Sequence, residues 1–147
     1  MTRGKIKEIM SIFQDSNLEE LTFIDSNLNF RIKCEFLAQL IDKNYKYFYG
    51  VFKNCMDVYF QPWDEENFHI VDVNEISKLE LELLNVELAD NGYIKIYVNC
   101  NQRFPGGNWL IQCKDLIIFD EDLREMNLLQ LIELSEKYWY LSDKAEG

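Results

Sequence analysis

The apolar residues of this chain change their spacing several times, and each change marks an element. Near the start Ile6, Ile9, Met10 and Phe13 recur at i, i+3, i+4 and i+7, one face of a helix. The spacing predicts a helix over 5–14 with Thr2 as its N-cap. From residue 18 the period falls to two. Leu21 and Phe23 alternate with polar neighbours, and "DSN" supplies turn chemistry. Leu28, Phe30, Ile32 and Cys34 then share one face while Asn29, Arg31 and Lys33 share the other, the mark of a half-buried strand. Residues 36–41 predict a helical turn. The aromatic run "YKYFYGVFKNCMDVYFQPW" has high strand propensity, and Gly50 or Lys53-Asn54 is expected to split it in two. "QPWDEEN" reads as an exposed turn and "FHIVDV" as a short strand.

The clearest pattern is "KLELELLNVELADNGYIKIYVNC". Leu79, Leu81 and Leu83 alternate with Glu80 and Glu82, and then Leu84 follows Leu83 directly and the phase flips. One residue of slip turns every side chain over, so the flip predicts a bulge or bend. The turn that follows is fixed by register. A three-residue loop, Asp90-Asn91-Gly92, pairs Leu88 with Ile94, Val86 with Ile96 and Leu84 with Val98. That is a type I turn with a G1 bulge, whose third position favours glycine. Residues 108–119 predict one further strand, too apolar for clean alternation. A terminal helix follows from residue 120, with Asp122 as N-cap, Glu125 three residues on, and "SDKAEG" as a frayed tail.

The run from Ile6 to Cys34, "IKEIMSIFQDSNLEELTFIDSNLNFRIKC", resembles the amino-terminal segment of bacterial biotin carboxyl carrier proteins. There too a short amphipathic helix leads into an alternating strand. Those proteins end in a biotinyl domain with an Ala-Met-Lys-Met-like motif, which this chain lacks. The resemblance implies a helix-then-hairpin pattern, and no function is carried over from it.

These elements predict a single α+β domain over 1–147: a mainly antiparallel, twisted sheet of about six to eight strands flanked by an N-terminal and a C-terminal helix. Composition agrees. With 48% hydrophobic residues and 14% aromatics, the chain can bury a core without a metal or disulfide. No apolar run approaches a membrane span or a signal h-region, so a cytoplasmic protein with four reduced cysteines is expected. Thirteen asparagines against three alanines point to an AT-rich genome, that of a low-GC bacterium or its phage.

Charge sharpens the picture. The net charge is −11, and residues 54–92 hold ten carboxylates against one lysine. Such a segment repels nucleic acid and anionic membranes and attracts a basic partner. Trp63 lies among Asp64, Glu65 and Glu66, the composition of an interface anchor with an acidic rim.

Catalytic motifs are weaker. Gly106-Gly107 is the chain's one glycine pair, but a phosphate loop needs a helix to begin after it, and here a strand pattern follows. A turn between strands is the expectation. His69 stands alone and reads as structural. The cysteines are separated by 21, 45 and 13 positions, without the C-x-x-C spacing of zinc sites. Glu80 and Glu82 share a strand face at a spacing that acid/base chemistry could use, but their alternation with leucines reads as a solvent face. No catalytic residue, cofactor or metal is assigned. The expected function is a non-catalytic domain that binds a basic protein through Trp63, Asp64, Glu65, Glu66, Glu80 and Glu82, similar in type to bacterial immunity proteins that neutralise toxins. The alternatives are a small enzyme with a carboxylate-based site and a structural subunit of a larger assembly.

Overall fold

The period-two stretches pair as antiparallel strands. In the computed structural model, which describes residues 1–146, they are β1 (Asn17–Ile24), β2 (Asn27–Lys33), β3 (Tyr47–Lys53), β4 (Asp57–Pro62), β5 (Leu81–Leu88), β6 (Ile94–Cys100), β7 (Gly106–Gln112), β8 (Asp115–Phe119) and the short β9 (Glu125–Met126). They form one sheet in the order β4-β7-β6-β5-β1-β2-β3-β8-β9. The helices are α1 (Arg3–Ser11), α2 (Glu35–Ala38), α3 (Val73–Ser77) and α4 (Leu128–Glu146). The α+β class, the antiparallel sheet and the two terminal helices match the sequence reading, but the nine strands exceed the expected six to eight.

The sheet folds back on itself at two places. β1 and β5 pair only at Asn17↔Glu82 and Leu18↔Leu81. β1 then turns away at an irregularity around Glu20, whose φ is 53°. The second place is a bent ribbon. β3 runs beside β8 as far as Lys53↔Asp115, and β4 runs beside β7 from Asp57↔Gln112. The same two stretches of chain thus pass together from one layer to the other, bending at Asn54 (φ 49°). Strands that switch layers through a bend or bulge make the corners of folded-over sheets.

Two layers result, β4-β7-β6-β5 and β1-β2-β3-β8-β9. Fully buried Trp109 of β7 joins them: it meets the rings of Phe52 on β3 and Phe30 on β2 edge-on, with centroids 6.0 and 6.4 Å apart. Helix α1 seats Ile6, Ile9 and Met10 in this core, Phe13 just after it is buried there too, and Thr2 Oγ1 accepts from Lys5 N–H as the expected N-cap. Helix α3 fills the gap where β1 leaves β5, burying Val73 and Ile76, and its Ser77 Oγ accepts from Leu21 N–H.

The β5–β6 hairpin follows its predicted register at Leu88↔Ile94 and Val86↔Ile96, but Asn91 as well as Gly92 takes positive φ, so its loop is not the expected type I turn, whose central residues have negative φ. The bulge falls at Leu84, where the phase flip placed it, so Val98 faces Leu83 and not Leu84. Four other expectations need correction. Residues 108–119 are two strands, because the corner interrupts them at Cys113-Lys114. "FHIVDV" contributes one bridge, Phe60↔Ile70, and then enters α3, where Asp72 Oδ1 caps Asn74 N–H. The terminal helix starts at Leu128, where Asn127 and Gln130 side chains accept each other's backbone N–H at 2.8 Å. Asp122 is therefore not its cap. Last, Ser142–Glu146 continue that helix, and Gly147 lies outside the described residues.

Candidate functional site

The double glycine leads to the site, in a role the sequence did not suggest. Gly106 and Gly107 do not form the turn; they begin β7, and both are buried. Their side-chain positions point to opposite faces. A Cβ on Gly107 would collide with the Phe60 ring in the core, and one on Gly106 would collide with the Trp63 ring on the outer face. The pair makes room for an aromatic on each side of one strand.

Trp63 is thereby held in place while 46% exposed. Its ring covers Gly106, and its Nε1–H donates to Asn108 Oδ1 at 2.9 Å. It is half exposed and fixed in one orientation. Asp64, Glu65 and Glu66 follow in an exposed turn, which Gln61 Nε2 steadies by donating to Glu66 O at 3.0 Å.

Register connects this turn to β5. Gly106 faces Asn99, and Asn99 faces Glu82. Trp63 and Glu82 therefore lie on one face, three strand spacings or about 14 Å apart. Glu82 accepts from Asn99 Nδ2 at 3.1 Å. Glu80 precedes β5 with φ 55° and accepts weakly from Gln102 Nε2 at 3.5 Å. All six predicted residues thus cluster at one end of the β4-β7-β6-β5 layer. Sequence reasoning missed the amides between them, Asn99 and Asn108, which only register reveals. It also missed Arg103, which stacks over Phe68 and Phe104 in the loop at this same end.

The hydrogen-bonding partners of the carboxylates set the electrostatics of this layer. Glu82 is held by an asparagine amide, Glu87 by Tyr97 O–H at 2.8 Å, and Asp57 by Tyr93 O–H at 2.5 Å. The bond to Asp57 and the nearby charge push the Tyr93 phenol up to about 12. Lys95, the register partner of Glu87, sits over the Tyr97 ring. Of the ten carboxylates between Asp57 and Asp90, Glu75 has an ion pair among the described residues, with Lys78 at 3.1 Å; the other nine do not. A neutral donor orients a carboxylate without cancelling its charge.

Other features are quickly placed. His69 is exposed and stacks on Tyr59 at 4.7 Å. Among the described residues no three His, Cys, Asp or Glu side chains are grouped to hold a metal ion. An apolar groove of about 1070 Å³ lies on the other layer, bounded by Ile24, Tyr49, Val51, Phe119 and Leu123. Among the described residues no helix is long and apolar enough to cross a membrane.

Fold and face define a class: an α+β domain whose folded-over antiparallel sheet presents carboxylates and one fixed tryptophan. Comparison with protein-family models, with curated proteins and with solved structures gives no match.

Proposed function

We propose that this chain is a non-catalytic binding domain that engages a basic protein partner through Trp63, Asp64, Glu65, Glu66, Glu80 and Glu82. The observation that carries this reading is that Asp64, Glu65, Glu66, Glu80 and Glu82, none of them in an ion pair among the described residues, lie at the same end of the layer as a tryptophan locked by Gly106 and Asn108. A fixed aromatic loses little conformational freedom on binding, and an unneutralised rim accelerates encounter with an opposite charge. Neutralising a basic toxin, as bacterial immunity proteins do, would use this chemistry. The test is a pull-down with the tagged native chain and with Asp64→Lys/Glu65→Lys/Glu66→Lys, at low and at moderate salt. A basic protein retained by the native chain, and lost both with salt and in the variant, supports the reading. Identical proteins on both baits would overturn it.

One observation favours a second reading, a subunit of a larger assembly. On α4, Trp139 and Tyr140 are 60% and 59% exposed, with Leu141 exposed beside them. Exposed apolar patches mark interaction surfaces. Sedimentation over a range of concentrations tests it: a mass that grows with concentration, and stops growing in Trp139→Glu, would favour assembly. A monomer throughout would remove this reading.

A further inference from the structure

Two of the four cysteines meet where the ribbon bends. Met56 N–H donates to Gln112 O at 2.7 Å, and Lys114 N–H donates to Lys53 O at 3.0 Å. These bonds bracket Cys113 on one strand and Asn54-Cys55 on the other. Cys113 therefore occupies a non-hydrogen-bonded antiparallel position, opposite a two-residue bulge. Cα atoms facing each other in such a position are about 4.5–5.5 Å apart, within the range a disulfide spans. Both side chains also pack against one core cluster, Cys113 buried within it and Cys55 half-buried at its edge. Cys34 and Cys100 have no such arrangement by register, since one follows β2 and the other ends β6, in different layers.

We propose that Cys55 and Cys113 form a reversible cross-link site, resting as two thiols and closing to an intramolecular disulfide by exchange with a small disulfide. Cys55, the more accessible, reacts first. Its thiolate attacks one sulfur of the small disulfide, that S–S bond breaks, and one small thiolate leaves and takes a proton from water. Cys113 thiolate then attacks Cys55 Sγ and expels the second small thiolate, which is protonated in turn. The two protein thiols give up two electrons and two protons, and the small disulfide is reduced to two thiols.

Burial pushes the Cys55 thiol up to about 11 and the Cys113 thiol up to about 12, with Cys55 itself contributing to the latter. Both are protonated at neutral pH, so closure is slow there and accelerates as pH rises. The bond would tie β3–β4 to β7–β8 at the corner. That corner lies at the opposite end of β4 and β7 from Trp63, so this inference stands apart from the binding face.

The experiment uses the native full-length chain with oxidised glutathione, at about pH 7 and about pH 9, followed by acid trapping and peptide mass mapping. The expected product joins the Cys55 peptide to the Cys113 peptide with loss of two hydrogens. It forms at least several-fold faster at the higher pH and is released by dithiothreitol. The cross-linked chain should melt roughly 5–15 °C higher than the reduced one. Cys55→Ser and Cys113→Ser should each abolish the cross-link. Persistent glutathione adducts without a cross-linked peptide, no reaction at the higher pH, or a cross-linked chain that melts lower would each overturn the proposal. Mapping of the native chain decides the matter even where a variant folds poorly.

Discussion

On the outer face of β4-β7-β6-β5, Glu82, Glu87 and Asp57 rest on an amide and two phenols; on the second layer Glu19, Glu20 and Asp115 rest on cations. Asn99, Tyr97 and Tyr93 hold Glu82, Glu87 and Asp57. On the second layer Arg31 holds Glu19 at 2.6 Å and Glu20 at 3.4 Å, and the N-terminal ammonium holds Asp115 at 2.9 Å. Each of these six carboxylates has a polar partner. The layers differ in what remains afterwards. A paired cation leaves only the short-range field of a dipole, whereas a neutral donor leaves the carboxylate's charge, which salt screens over a Debye length of about 8 Å. Partner type, more than the number of acidic residues, separates the two faces: it leaves one with its negative charge, which the proposed binding of a basic protein would use. It leaves the other with a neutralised rim beside an apolar groove.

The comparison depends on the two layers being joined, and Trp109 joins them. Trp109→Ala should cost about 3–5 kcal/mol in urea unfolding, since it empties the space between Phe30, Phe52 and β7. A loss below about 1 kcal/mol would mean that the layers do not share that core. Arg31→Met removes the cation of the second layer, which also lies over the Tyr47 ring at 4.2 Å. We expect a loss of about 1 kcal/mol that shrinks as salt rises, because half-exposed ion pairs are weak and screened. A loss that does not change with salt would assign the role of Arg31 to packing alone.

The hydroxyl of Tyr93 probes the first layer by pH. Its folded pKa, about 12, is above the unfolded value near 10. The stability it contributes is therefore complete below about pH 10 and is lost as pH rises through about 12. Spectrophotometric titration should find a phenol ionising near 12 that Tyr93→Phe removes; an unchanged titration curve in the variant would contradict the Asp57 bond. The smallest effect is expected at Asn99→Ala. Loss of that neutral donor to Glu82 should cost no more than about 1 kcal/mol and, unlike the Arg31 effect, should not depend on salt. Marked salt dependence there would erase the distinction between the layers.

Local pattern revealed the parts of the fold that local chemistry decides. The helix at Ile6–Phe13, the exposed turn at Trp63 and the bulge at Leu84 could be read because period and turn residues fix them. The corner could not. Asn54-Cys55 bulges opposite Cys113, and that pairing joins residues far apart in sequence. The same bend made 108–119 look like one dense strand. Part of that density is Leu110, which is buried on the outer side of β7, away from the main cluster. The helix start went astray because the sequence offers two capping patterns, Asp122 with Glu125 and Asn127 with Gln130, and tertiary packing selects the second. The candidate face was half legible. Its carboxylates and tryptophan could be named, but the row through Asn99 and Gly106 appears only once β5, β6 and β7 are in register.

The central claim is that an unneutralised face draws in a basic protein. Its most direct test is the association rate of the captured basic partner, followed from low to moderate salt for the native chain and for Asp64→Lys/Glu65→Lys/Glu66→Lys. The native rate should fall roughly tenfold or more as salt rises, and the variant should start slow and stay nearly flat. Equal rates with equal salt dependence would contradict the claim.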